Sequence, residues 1–355
     1  MRLPPSSRLT TAVPVADARS VRRVRLAFAV ALAAAVVAPA ASAAARPPAQ
    51  IAFEHDLGIF RMDANGSHVR RLTEGRGAGE GPTYDRSPEW SPDGRRIAFT
   101  RQTFDHPFGD EGPARAWAMK TDGSNEHAVL PDPGPDVWES AAGWTPGGQI
   151  VLQREQLNPE GEVETTSIYV ADPDGRHRRR LVDRSRLLYN SLGVSPGGRR
   201  FVFSRRNGDR YEVWTMNLDG SNRQRLTARG YAPSWGPDGR RIVFSTDRDH
   251  HGRTCSSPDN CYWNSELYVM RSDGSHQRRV THSLGDEAWA DWSADGTRFV
   301  FERYNGQPRE AEAGHIYSVG VSGACSVRLT RGHHYNASPS WRSTRGDDPR
   351  PDACR

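Results

Sequence analysis

Trp90-Ser-Pro-Asp-Gly-Arg-Arg-Ile-Ala-Phe99 is the stretch that decides the fold. Pro-Asp-Gly is a tight reversal in which glycine accepts a positive φ. Ile97-Ala-Phe99 is a short apolar run of the kind that forms a buried strand. The module recurs as Trp144-Thr-Pro-Gly-Gly-Gln-Ile-Val-Leu152, Val194-Ser-Pro-Gly-Gly-Arg-Arg-Phe-Val-Phe203, Trp235-Gly-Pro-Asp-Gly-Arg-Arg-Ile-Val-Phe244 and Trp292-Ser-Ala-Asp-Gly-Thr-Arg-Phe-Val-Phe301. A fragment, Ser338-Pro-Ser-Trp341, follows near the C-terminus.

A second module follows each copy: an apolar run, a glycine turn and a basic-Leu-Thr tail. Its best copies are 59–73, 213–227 and 267–281, and its weaker ones 117–130, 168–181 and 316–330. The turn glycines Gly66, Gly123, Gly175, Gly220, Gly274 and Gly323 are 45 to 57 residues apart. Six such units predict an all-β fold, a six-bladed β-propeller of four-stranded antiparallel blades. Outside residues 1–45 no stretch shows a sustained helical period with caps.

Within a unit, strand A leads into the Trp and strand B is the Ile-Ala-Phe type. Strand C precedes the glycine turn, and strand D carries Leu-Thr. The chain enters at Ile51 on a B strand and ends on a bare A strand, Ser338 to Trp341. The C-terminal strand is therefore expected to complete the N-terminal blade and close the ring, which removes the open edge of a linear array. The predicted propeller spans 46–343, after a leader and linker at 1–45 and before a tail at 344–355.

These modules resemble the WD40-like propeller repeats of the TolB family. The resemblance rests on Trp90-Ser-Pro-Asp-Gly94 with Ile97-Ala-Phe99, and on Tyr268-Val-Met with Asp273-Gly274-Ser275 and Arg279-Val-Thr281. It covers about residues 51–342 and implies the fold; one propeller architecture hosts many functions. The α/β domain that precedes the propeller in TolB is expected to be absent, because only residues 44–50 lie between the leader and the first strand. A Pal-like partner role therefore does not carry over. Similar repeats form the gating propeller of prolyl-oligopeptidase-like peptidases, whose hydrolase domain is expected to be absent too, since the chain ends at Arg355.

The leader reads as an export signal. Arg19, Arg22, Arg23 and Arg25 precede the apolar run Leu26 to Ala38, and Ala41-Ser42-Ala43 offers a small-x-small cleavage site. The run is too short to span a bilayer. Arg22-Arg23 fits the twin-arginine motif only in part, so either export route stays open. Residues 1–43 hold six Arg and one Asp; the other 312 residues carry 42 basic and 42 acidic side chains. The basic excess thus belongs to the leader, and nothing in the charge favours nucleic acid. No membrane span is expected in the mature chain, which is read as a monomer, secreted or in the periplasm or cell envelope. Cys255, Cys261, Cys325 and Cys354 then read as disulfides, Cys255 with Cys261 and Cys325 with Cys354; zinc-site spacings do not match.

Candidate chemistry is sparse. Gly193-Val-Ser195-Pro-Gly197 matches G-x-S-x-G but occupies the turn slot of the repeat, with no strand-turn-helix context, so it is no nucleophile elbow. Lys120 is the one lysine, and there is no P-loop. The recurring Trp residues read as packing, and the Arg pairs near strand D as edge protection. Binding is expected on the face carrying the long B–C and D–A loops. The residues five before each strand-A Trp (or Val194) are Asp85, Glu139, Tyr189, Gly230, Glu287 and Asn336, with Asp136 and Asp286 nearby. Such carboxylates around the axis would suit Ca²⁺ or a cationic group; the other reading, solvated loop acids without a ligand, is the commoner case. His55, His106, His282, His315, His333 and His334 map to the same face. His333-His334 near His55 would suit a transition metal, although loop histidines are more often unliganded. The favoured function is a non-catalytic binding scaffold for a protein, peptide or envelope glycan. The alternative is a propeller lyase or hydrolase with channel-mouth acids.

Overall fold

The structure, a computed structural model, describes residues 49–74, 83–104, 111–187, 189–257, 260–304 and 314–342. The leader, the C-terminal tail with Cys354, and the side chains of Cys255 and Cys261 lie outside the described residues. The described chain forms six four-stranded antiparallel sheets. β1 (Gln50–His55), β2 (Gly58–Asp63) and β3 (Arg70–Arg71) belong to blade 1. Blade 2 is β4 (Thr83–Trp90), β5 (Arg96–Phe104), β6 (Glu111–Lys120) and β7 (His127–Ala128). Blade 3 is β8 (Val137–Trp144), β9 (Ile150–Leu157), β10 (Val163–Ala171) and β11 (Arg179–Ser185). β12 (Asn190–Val194), β13 (Arg200–Asn207), β14 (Arg210–Asn217) and β15 (Gln224–Thr227) make blade 4. Blade 5 is β16 (Tyr231–Trp235) and β17 (Arg241–Thr246), then a separate hairpin of β18 (Arg253–Ser257) and β19 (Asn260–Trp263), then β20 (Glu266–Arg271) and β21 (Arg278–Arg279). Blade 6 is β22 (Asp286–Trp292), β23 (Arg298–Tyr304), β24 (Gly314–Gly320) and β25 (Val327–Arg328).

The last strand, β26 (Asn336–Trp341), pairs antiparallel with β1, in the register Ile51 opposite Trp341 and His55 opposite Asn336. The ring is closed by the C-terminal strand, as the repeat count predicts. The A strands β26, β4, β8, β12, β16 and β22, which lead into the Trp or, in β12, into Val194, each touch the next around the axis, so they are innermost.

The core is distributed between blades. Strand B is apolar at successive positions because both of its faces are covered. Ile97 and Phe99 pack with Ala52 and Ile59 of blade 1, while Ala98, on the opposite face, packs with Ala141, Trp144 and Ile150 of blade 3. The same division recurs at all six junctions, including blade 6 with blade 1, where Val300, Ile316 and Leu329 meet Ile51, Phe53 and Trp341. Each strand-A Trp lies in the junction with the preceding blade, which is the packing role expected. Two donate their indole N–H to strand A of that blade: Trp144 Nε1 to Glu89 O (2.9 Å) and Trp292 Nε1 to Ser234 O (3.2 Å).

The turn glycines are needed twice over. Gly66, Gly123 and Gly274 have φ of 85°, 87° and 87°. A Cβ on them would stand 2.7, 2.6 and 2.8 Å from the carbonyl oxygens of Leu329, Leu72 and Leu226 in the preceding blade. Only glycine combines that φ with that approach.

Two details differ from the expectation. The D strands β3 and β21 consist of the basic pair alone, with Leu72-Thr73 and Val280-Thr281 beyond it, whereas β15 runs through Leu226-Thr227. Threonine hydroxyls accept the amide of the second strand-C residue in blades 1 and 5, Thr73 Oγ1 from Ile59 N (2.9 Å) and Thr281 Oγ1 from Leu267 N (2.9 Å). The B–C connection of blade 3 is less of a loop than expected: β9 and β10 continue as a ladder from Ile150 opposite Ala171 to Leu157 opposite Val163.

Candidate functional site: the central channel

The innermost strands enclose a cavity of about 840 Å³ along the axis. It runs from Tyr84, Trp138 and Tyr335 at the long-loop end to Pro92, Pro146 and Pro196 at the short turns. A bulge shapes each strand A. Register shifts occur between Arg86 and Glu89, Ala141 and Trp144, Asn190 and Gly193, Tyr231 and Ser234, and Ala288 and Asp291. Ser87, Ser191, Ala232, Trp289 and Ser338 hold equivalent positions with φ of 44° to 54°, a conformation few L-residues adopt. Bulges of this kind re-aim side chains.

The bulge amides explain why polar residues follow the strand-B triplet. In four of the six blades the side chain after the triplet accepts the bulge N–H of the next blade: Glu54 Oε1 from Ser87 N (2.7 Å), Thr100 Oγ1 from Ala141 N (3.2 Å), Ser204 Oγ from Ala232 N (3.2 Å) and Glu302 Oε2 from Ser338 N (3.4 Å). A second set of bonds uses the residue before the Trp. Asp291 Oδ2 accepts Trp341 N (2.7 Å), and Ser340 Oγ accepts Trp90 N (3.4 Å).

Where these positions hold carboxylates, the channel becomes acidic. Glu54, Glu89, Asp291 and Glu302 come from blades 6, 1 and 2, on either side of the ring closure. Blade 3 adds Glu139 and Glu155, the latter with Arg86 beside it, and the lining from blades 4 and 5 is uncharged. Burial, and then the neighbouring Asp291, push Glu89 up to about 8. Burial also raises Asp291. Burial, and then the Glu54 carboxylate, push Glu302 up to about 8. The hydroxyl of Tyr84 donates to Glu54 Oε2, and burial and that carboxylate hold its pKa far above the phenol range. Trp289 is 42% exposed.

Of the residues singled out from the sequence, Glu139 and Tyr189 line this cavity, whereas Asp85, Glu287 and Asn336 do not. Asp85 is 0% exposed and takes a bidentate pair from Arg101, at 2.6 and 2.7 Å. Glu139 takes Arg154 Nη2 at 2.7 Å, and Glu287 takes Arg303 Nη2 at 2.6 Å. In each case the arginine is the direct cross-strand partner on strand B of the same blade. The guanidinium also covers a strand-C aromatic, at 4.3 Å for Arg101 over Trp117 and 4.1 Å for Arg303 over Tyr317. Each acid is thus held within its own blade, in an acid–arginine–aromatic stack. Among the described residues these three carboxylates do not form a group with ligand atoms within 4.8 Å of one another. Tyr189 is in the core, edge-on to Phe203, with its hydroxyl on Ser185 Oγ (2.9 Å). Asn336 is buried and bonded to His55 Nδ1 (2.8 Å). Asp286 Oδ1 accepts Ser265 N (2.8 Å).

The channel acids left a trace in the sequence. Position by position after the triplet, the repeats read Glu54, Thr100, Gln153, Ser204, Ser245 and Glu302. Before the Trp (or Val194) they read Glu89, Gly143, Gly193, Ser234, Asp291 and Ser340. Two acids stand out in each column.

No protein-family model matches the chain. The TolB of Acinetobacter baumannii superposes with a TM-score of 0.60 at 16% identity, over 83% of this chain and 66% of that one. The chain has the fold of a TolB-like β-propeller. A putative TolB from Agrobacterium tumefaciens matches with a TM-score of 0.55 at 16% identity, covering 83% of this chain and 99% of that one. A chain of a nidogen/laminin complex matches at 0.58 and 11%, over 83% and 98%. In sequence, an uncharacterized protein of Agrobacterium fabrum is 23% identical over 63% of this chain and 67% of its own length. The Tol-Pal system protein TolB of Geobacter sulfurreducens is 33% identical over 26% of this chain. This TolB-like propeller spans 18% of that curated relative and just under two thirds of the Acinetobacter chain. Among its described residues no helix is long and apolar enough to cross a membrane.

Proposed function

We propose that this chain is an exported, non-catalytic binding propeller whose channel takes a cationic segment of a protein or peptide partner. The observation that carries this reading is the one-sided distribution of Glu54, Glu89, Asp291 and Glu302 in a cavity of about 840 Å³. A lysine or arginine side chain entering there would ionise carboxyls that burial now holds partly protonated. Trp289 offers a ring face to the same cation. The described lining contains no His or Cys, and Glu54, Asp291 and Glu302 already accept hydrogen bonds from the next blade. Those bonds favour a rigid recognition surface over a reactive one. A propeller of similar fold occurs in a nidogen/laminin complex, which is in keeping with a protein partner. Export is supported by the leader pattern, by Cys255 standing directly opposite Cys261 across β18 and β19, and by the disulfide state of Cys325.

A second reading, hydrolysis or lysis of a polysaccharide, draws on Glu89 and Glu302, since carboxyls near 8 can act as general acids at neutral pH. Fluorescence anisotropy with Lys/Arg-rich and Asp/Glu-rich peptides of equal length tests the binding reading. The basic peptides should bind, more weakly at high salt and after Asp291→Asn with Glu302→Gln. Equal binding of both peptides, or binding indifferent to those substitutions, would refute it. A turnover screen on cell-wall and plant polysaccharides tests the other reading.

A further inference from the structure

Outside the channel, one group of side chains joins the two ends of the ring. His55 ends β1, Asp56 begins the turn after it, and His334 lies in the loop entering β26. Their ligand atoms all lie within 4.8 Å of one another. His334 Nδ1 is 3.0 Å from Asp56 Oδ2, and His55 Nε2 is 3.9 Å from the same oxygen. The backbone holds them in place, since Asp56 N donates to Tyr335 O at 3.0 Å and Asp56 adopts a φ of 51°.

The hydrogen bonds around Asn336 fix the state of His55. Asn336 Nδ2 donates to Gly314 O (3.1 Å) and His334 O (2.7 Å), so its amide oxygen is the atom facing His55 Nδ1 at 2.8 Å. An amide oxygen only accepts, so Nδ1 of His55 carries a proton. In the neutral ring, Nε2 then presents its lone pair toward a carboxylate oxygen. Two acceptors turned toward each other are reconciled by a cation between them. A histidine whose other nitrogen donates to a fixed acceptor is the usual outer-shell arrangement of a metal ligand.

We propose that His55, Asp56 and His334 bind a transition-metal ion of the Zn²⁺ class, stapling the N-terminal blade to the closing strand. Two imidazoles and one carboxylate suit such an ion, and a fourth position stays open to water. Asp56 and His334 are 51% and 59% exposed in their side chains, so the ion can enter from solvent. None of the three residues lines the channel.

Calorimetric titration of the full chain with Zn²⁺, alongside melting curves in Zn²⁺, Ca²⁺ and Mg²⁺, tests this. One Zn²⁺ should bind and raise Tm, and Ca²⁺ and Mg²⁺ should not mimic it. His334→Ala, in an exposed loop, should abolish binding with an unchanged metal-free Tm, and Asn336→Ala should weaken it by about 10–100-fold. His333→Ala, the adjacent residue, should bind as the wild type does. No Zn²⁺ binding in the full chain, or equal binding in His334→Ala and Asp56→Asn, overturns the proposal.

Discussion

Glu302 allows the acidity of the channel to be read as stability. Its ordinary value of 4.5 rises to about 8 in the fold, first through burial and then through Glu54. The folded protein therefore holds a proton that the unfolded chain has released. Below pH 4.5 both states are protonated and nothing is lost; between 4.5 and 8 the folded state becomes progressively less favoured; above 8 the loss is complete. At about 1.4 kcal/mol per pH unit, the ceiling is about 5 kcal/mol. Glu302 faces a water-accessible cavity, and Ser338 N offers it a hydrogen bond, so about 1–2 kcal/mol is the expected loss. Glu302→Gln keeps an oxygen for Ser338 N and removes the ionisation. In urea titrations the wild type should lose stability from pH 5 to 8.5. The variant should match it at pH 4.5 and exceed it by about 1–2 kcal/mol at pH 8.5. The difference between the two proteins isolates Glu302 from other groups that titrate in the window, such as Glu89. A variant that is less stable than the wild type at pH 8.5, or a difference independent of pH, would refute the reasoning.

Other perturbations probe the scaffold. Arg303→Met strands the fully buried Glu287 and should cost about 3–5 kcal/mol, whereas replacing both partners together should cost much less; a double-mutant cycle on urea midpoints measures this. Trp341→Ala removes a side chain 2% exposed at the closing junction, with an expected loss of about 3–5 kcal/mol. Deleting residues 337–355 removes most of β26 and should abolish cooperative unfolding; a truncated chain that melts like the wild type would show that β26 does not close the ring.

The fold was legible because a propeller is a repeat. Each blade must solve the same packing problem, so the Trp, the apolar triplet and the turn glycine return at fixed places, and the count at the two chain ends implies the closing strand. The site was only half legible. Asp85, Glu139 and Glu287 stand out in sequence because they are acids at one repeat position. Their partners Arg101, Arg154 and Arg303 lie 15 or 16 residues on, and only the strand pairing shows that each acid is matched within its blade. The bulge in strand A shifts which side chains meet the axis, and no residue type announces it: serine, alanine and tryptophan all hold the positive φ. By itself the sequence determined the blade count, the closure and the buried positions, because these follow from local periodicity. Only the tertiary structure decided which acids face the channel, and that Asp56 joins His55 and His334, because both depend on register and on contacts between residues up to 279 apart.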